Sequence, residues 1–183
     1  MVLVTQNRYK IAELQPLFQN FKVTFETTDI EKYEIRSNDV SRVALEAASQ
    51  AHMTLEKPVV VDDTGLYIKA LNGFPGAYAA YVLHTIGKEG ILRLMHGVVK
   101  RDAIFRTAVS FVDVSQAKIF VGEMEGKIAE TAAGEEGFGY DPIFIPEGMD
   151  ITYAQLSFED KTAISHRTKA FTQFLDWYSF NKS

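Results

Sequence analysis

The chain contains no cysteine. That excludes disulfides, thiolate chemistry and cysteine-ligated zinc or iron–sulfur sites. Basic residues are in the minority, 19 against 24 acidic, for a net charge of -5. A general nucleic-acid-binding face needs the opposite balance, so no nucleic-acid partner is expected. An anionic ligand would have to be met by a few placed cations or by a bound metal. No apolar run approaches the roughly 20 residues that cross a bilayer. The N-terminal MVLVTQNRYK lacks a basic region ahead of its short apolar stretch, so no secretory leader is read there. The expectation is a protein with no membrane partner, located in the cytoplasm. His52, His84 and His96 are scattered and show no zinc spacing.

What is present is the composition of a globular protein, 46% hydrophobic and 23% charged over 183 residues. That length can enclose a core without crosslinks and is read as a single domain, 1–183. Strands are predicted at Met1–Val4, Phe21–Thr27, Pro58–Asp62 and Leu66–Ala70, and in two long alternating runs, Ala103–Val114 and Lys118–Glu130. Helices are predicted at Asn7–Phe18, at Asn38–His52, around Pro75–Leu83, over EGILRLMHG, and from a Ser157 cap through Phe180, either unbroken or with a break. Strands and helices alternate at first and strands then pair in a run, which implies an α/β fold with a mixed sheet.

The stretch VVVDDTGLYI, Val59–Ile68, carries the first chemical question, because two adjacent carboxylates end an apolar run. Taken alone, DDTG reads as an ordinary turn. An aspartic-protease half-site would need a second copy of Asp-Thr-Gly to share a proton, and the chain has one. The Asp-x-Asp phosphatase spacing is not met, since adjacent residues on a strand point to opposite faces. A magnesium site remains, with one of the two acids facing a ligand at a strand end.

Other segments bear on that reading. TQNRYK, Thr5–Lys10, follows the first strand and opens the first helix, where backbone N–H groups and the dipole favour an anion. Capped helix with a surface lysine is the plainer alternative. GEEGFGYDP places Phe138 and Tyr140 on a glycine-rich loop, where an aromatic face can meet a flat ring and Asp141 can accept a ring N–H. An aromatic pair tucked into the core explains the same residues. EDKTAISHRTKAF brings Lys161, Ser165, His166 and Arg167 near a helix, either as a site or as a solvated basic patch.

Together these motifs resemble the inosine/xanthosine triphosphate pyrophosphatase family, enzymes that remove non-standard purine nucleotides. The matching residues are Thr5-x-Asn7-x-x-Lys10, Glu34 in YEIRS, VDDTGL with GFPGAY soon after, GFGYDPIF, and SHR, in the family's order along nearly the whole chain. The resemblance implies an elongated mixed sheet flanked by helices, two lobes with a nucleotide cleft between them, and a homodimer. It implies Mg²⁺-dependent hydrolysis of ITP, dITP or XTP to the monophosphate and pyrophosphate. By the same resemblance Thr5, Gln6, Asn7, Arg8, Tyr9 and Lys10 bind the triphosphate, and Glu34 and Asp63 bind the metal. Asp63 is also the proton acceptor, and Asp62 supports it. Thr64 contacts the substrate, Phe138 stacks on the base, and Gly139, Tyr140 and Asp141 complete that loop. Lys161, His166 and Arg167 supply the remaining contacts. One departure stands out: many members carry a lysine on the helix after the Glu34 equivalent, and here Arg42 is the single Lys or Arg between Ser41 and His52. A pyrophosphatase acting on modified pyrimidines and a nucleotide-binding protein without catalysis are the rival functions.

Overall fold

The computed structural model describes residues 1–28, 30–31, 33 and 35–182, the side chain of Lys182 excepted. The strands are β1 (Val2–Val4), β2 (Glu26–Thr28), β3 (Val59–Ile68), β4 (Pro75–Gly76), β5 (Asp102–Val112), β6 (Ala117–Ile128) and β7 (Phe144–Pro146). The helices are α1 (Arg8–Asn20), α2 (Val40–Leu55), α3 (Ala79–Thr85), α4 (Gly87–Leu94), α5 (Phe158–Ile164) and α6 (His166–Lys182). Among the described residues the strands form one sheet in the order β2-β1-β3-β5-β6-β7, with β4 on β3. The sheet is mixed, as the sequence pattern predicts. β1 runs parallel to β2 and β3, whereas β3 with β4 and β6 with β7 are antiparallel.

The chain divides into two compact units. One comprises Met1–Asp63, Thr107–Gly122 and the residues from Arg167 onward; the other comprises Thr64–Arg106 and Glu123–His166. In the first unit, β1 and β3 are covered on both faces. Leu3 and Val60 pack against Leu14 and Phe18 of α1 and Phe171, Phe174 and Leu175 of α6. Val2, Val4, Val59 and Val61 pack against Ala47, Ala48 and Ala51 of α2. Burial on both faces explains the unbroken apolar run, which is the signature of buried parallel strands. In the second unit Leu66, Ile68, Phe105, Phe144 and Tyr153 form the core with Ile91 and Met95. There Phe105 meets Phe144 edge-on at 4.6 Å between ring centroids.

Three local expectations are corrected and one alternative is resolved. First, DDTG is not a turn: β3 runs unbroken through it, and the predicted Leu66–Ala70 strand is its continuation. Gly65 permits this, because a Cβ there would lie 2.8 Å from the Gly76 carbonyl oxygen of β4. Second, the Phe21–Thr27 strand shrinks to Glu26–Thr28. The amides of Phe21, Lys22 and Val23 donate to the last carbonyls of α1 at Leu17, Gln19 and Phe18. Lys22 adopts φ +53 to close that cap. The alternation is real in packing, since Phe21, Val23 and Phe25 lie against the α1 core, with Phe25 4.6 Å from Phe18. Third, Pro75–Gly76 pairs with β3 and the helix starts only at Ala79. Fourth, of the two readings of the last helix the broken one holds, with the extended backbone of Ser165 separating α5 from α6. Ser157 caps α5 as predicted, accepting from the Asp160 amide at 3.0 Å and donating to its carboxylate at 2.8 Å.

Candidate functional site

Because β3 is straight through its acids, alternation separates them cleanly. Asp62 shares the face of Val60, toward α1 and α6, while Asp63 shares that of Val61, toward α2. Asp62 is buried. Its Oδ2 accepts from Lys10 Nζ at 2.7 Å and lies 3.5 Å from Arg167 Nε. Arg167 Nη1 in turn donates to Glu13 Oε2. Glu13 and Arg167 are both about 3% exposed, so two carboxylates and two cations balance in the interior of this unit. Buried charges persist only when paired and hydrogen-bonded in this way. Asp63 is half-buried and Thr64 follows it on β3.

The start of α1 is also occupied by its own side chains. Asn7 caps the helix, its Oδ1 accepting from the amides of Tyr9 at 3.0 Å and Lys10 at 3.3 Å, and Thr5 Oγ1 accepts from the Asn7 amide at 3.2 Å. Caps thus take the amides of Asn7, Tyr9 and Lys10, while the side chains of Gln6, Arg8 and Tyr9 are exposed. This places Lys10 as the cation of the segment, anchored by Asp62.

In the second unit, Asp141 Oδ2 accepts from the Phe138 amide at 2.8 Å and from Lys161 Nζ at 2.6 Å. The Lys161 ammonium also lies 4.7 Å from the centroid of Phe138 and 5.9 Å from that of Tyr153. Carboxylate and cation–π contacts together let a lysine be buried here. Gly137 closes the loop over this pair. It has φ +75, and a Cβ would meet Asp141 Oδ2 at 2.2 Å. Gly139, at φ +65, lies one residue past the half-buried Phe138. The Tyr140 hydroxyl donates to the Ala79 carbonyl at 2.9 Å, and its burial pushes the phenol well above the ordinary range. His166 stacks on Phe105 at 4.8 Å.

The structure therefore joins Lys10, Asp62 and Arg167 in one cluster, and Phe138, Asp141 and Lys161 in another. Glu34 lies outside the described residues, and Arg42 is exposed on α2. Sequence reading missed Glu13, Tyr153 and the Phe105 platform. Glu13 had a signal, because a carboxylate on the same helical stripe as Lys10, Leu14 and Phe18 must be buried with a partner.

Among the described residues no three His, Asp or Glu side chains gather as an all-protein metal site. Magnesium needs no such cage; it takes one or two carboxylates, waters and substrate phosphates. Asp63 presents a hard oxygen donor of that kind on a different strand face from the cations around Asp62, so the donor chemistry fits. A cavity of about 770 Å³ on the second unit's sheet is lined by Tyr67, Lys69, Asp102, Glu125, Lys127 and Glu147 among others. Of the motif residues only Gly73 of GFPGAY lines it, none of the predicted site residues does, and its acids outnumber its cations, which disfavours a triphosphate.

The sheet order defines an α/β protein whose third strand carries an ion-paired acid at its middle. Residues 1–177 match the model of the Ham1 family, and the chain belongs to that family. A Pyrobaculum aerophilum protein named dITP/XTP pyrophosphatase is 49% identical over 175 residues, 96% of this chain and 94% of that one. A Methanopyrus kandleri protein of the same name is 44% identical over 182 residues, 99% and 97% of the two chains. Among solved structures, the Ham1 protein of Staphylococcus aureus superposes with a TM-score of 0.85 at 30% identity over 98% of each chain. A HAM1 protein from Coxiella burnetii gives 0.86 at 29% over 97% of each. No helix among the described residues is long and apolar enough to cross a membrane.

Proposed function

We propose that this chain hydrolyses ITP, dITP and XTP with Mg²⁺, releasing the nucleoside monophosphate and pyrophosphate. It is a nucleoside-triphosphate pyrophosphatase, the class named for its curated relatives. The observation that carries the reading is the split of the acid pair: Asp62 faces Lys10 and Arg167, and Asp63 lies on the opposite strand face, away from those cations. In this reading Asp63 and Glu34 hold the metal. When bound, Mg²⁺ supplies charge neutralisation on the phosphates and a more acidic water. Asp63 accepts the proton of the water that attacks the α-phosphorus. Thr5–Lys10 bind the triphosphate, with Lys10 as the fixed cation, and Thr64 contacts the substrate.

Phe138 stacks on the base, on the ring face opposite Lys161. Gly139, Tyr140 and Asp141 shape that loop, and Lys161, His166 and Arg167 complete the substrate contacts. Hypoxanthine and xanthine carry a 6-keto group and an N1–H, whereas adenine presents an amino group and a bare acceptor. Donors and acceptors set for the first pair reject adenine by on the order of 10⁴-fold. The reading includes a homodimer, which light scattering checks.

One assay tests the whole. The protein is incubated with ITP, XTP, GTP, ATP and dTTP, with Mg²⁺ or with a chelator. Pyrophosphate from ITP and XTP, lost with chelator and strongly reduced for ATP, is expected. Orthophosphate instead, or equal kcat/KM for ATP and ITP, overturns the reading. Preference for a pyrimidine would move the assignment to the pyrimidine rival.

A further inference from the structure

The geometry points to Glu13 as a positioning residue that sets the Arg167 guanidinium for substrate. This rests on the reading of Arg167 as a substrate contact. Glu13 stands on α1 one turn after Lys10, so a single helix face carries the first cation of the cluster and the carboxylate that holds the second. Glu13 takes Arg167 through Nη1, and Asp62 faces Nε at 3.5 Å. A guanidinium is a rigid planar fork, so partners at two of its nitrogens determine the rotation of its plane as well as its place.

The same Asp62 oxygen binds Lys10 at 2.7 Å. The four side chains thus form a chain, Glu13–Arg167–Asp62–Lys10, with formal charges that cancel. Removing the Glu13 charge leaves Lys10 and Arg167 facing the same Asp62 oxygen without that second carboxylate. The guanidinium loses the hold at Nη1, and substrate must then reorder it on binding. A misplacement of about 1 Å in such a group costs on the order of 100-fold. The cost falls on substrate binding, not on the proton transfer assigned to Asp63.

The test is a double-mutant cycle on the full chain, with pyrophosphate release from ITP followed under Mg²⁺. E13Q is expected to raise KM for ITP by about 10- to 100-fold with kcat changed little. In an R167Q background the same substitution is expected to add nothing further, because its effect passes through Arg167. A merely structural Glu13 would reduce the folded fraction, lowering apparent kcat alike for every substrate at unchanged KM. Wild-type KM in E13Q, a proportional loss of kcat alone, or additivity with R167Q each overturns the inference. Should E13Q fail to fold, E13D keeps the charge, retracts it by one methylene and carries the same expectations at smaller size. If wild type releases no pyrophosphate from ITP, or R167Q keeps wild-type KM, the reading beneath has failed instead of the role of Glu13.

Discussion

Lys161 and Asp141 are ion-paired at 2.6 Å, each with a side chain no more than 7% exposed, and the same Asp141 oxygen anchors the Phe138 amide. The pair therefore ties the aromatic loop to α5 within its unit. Lys161→Met leaves a buried carboxylate without that cation, at a cost of about 3–5 kcal/mol. The double variant K161M/D141N removes both charges and is expected to recover part of that loss. Urea unfolding measures both. A K161M midpoint equal to wild type would show that the pair contributes nothing.

The two adjacent acids of β3 should respond oppositely to the same substitution. Asp62→Asn disturbs the buried cluster with Lys10 and Arg167 and is expected to cost about 2–4 kcal/mol of stability. Asp63→Asn, half-buried on the other face, is expected to stay within about 1 kcal/mol of wild type yet nearly abolish pyrophosphate release. Unfolding curves and a pyrophosphate assay on both variants decide it; D63N activity within a few-fold of wild type rejects the assignment.

Gly65 of β3 lies directly against the Gly76 carbonyl of β4. The Cβ of Gly65→Ala would press on the Gly76 carbonyl, 2.8 Å to oxygen and 3.0 Å to carbon. Neither atom is the flexible end of a side chain, so the strands must part, at about 1–3 kcal/mol. Differential scanning calorimetry should show a lower Tm; an unchanged Tm would mean that β4 yields freely.

Asp113 closes the connection between β5 and β6, accepting from the Ser115 amide and hydroxyl at 2.8 Å and the Gln116 amide at 3.0 Å. Burial by itself would raise its carboxyl, but these donors outweigh it and hold the group below its ordinary value. A depressed folded-state pKa gives stability that is present above the unfolded value, about pH 4, and lost as pH falls through the folded value. Asp113→Ala should therefore lower Tm at pH 7, with the gap to wild type narrowing below about pH 4. A gap that is constant with pH would assign the effect to the turn backbone alone.

Much of this molecule was legible in local pattern. The short apolar β1, the helical stripe of α1, the alanine face of α2 and the Ser157 cap all follow from periodicity and capping chemistry, which act over a few residues. So did the argument that only one of Asp62 and Asp63 can face a given site. The motif order from Thr5 to Arg167 was sufficient to indicate the family.

Other features depend on groups far apart in the chain. DDTG is locally a turn, yet it is strand because Val59–Val61 before it and Leu66 and Ile68 after it are buried and β4 supplies an antiparallel partner. Phe21–Phe25 alternates like a strand, yet its first amides go to α1 carbonyls that only a finished helix end presents. The role of Asp62 was beyond any local reading: its partners are 52 residues upstream, at Lys10, and on α6 at Arg167. The sequence determined which residue types stand ready for phosphate, metal and base. Tertiary structure decided which charges neutralise one another, because buried charge is tolerable only where the fold brings its opposite within hydrogen-bonding reach.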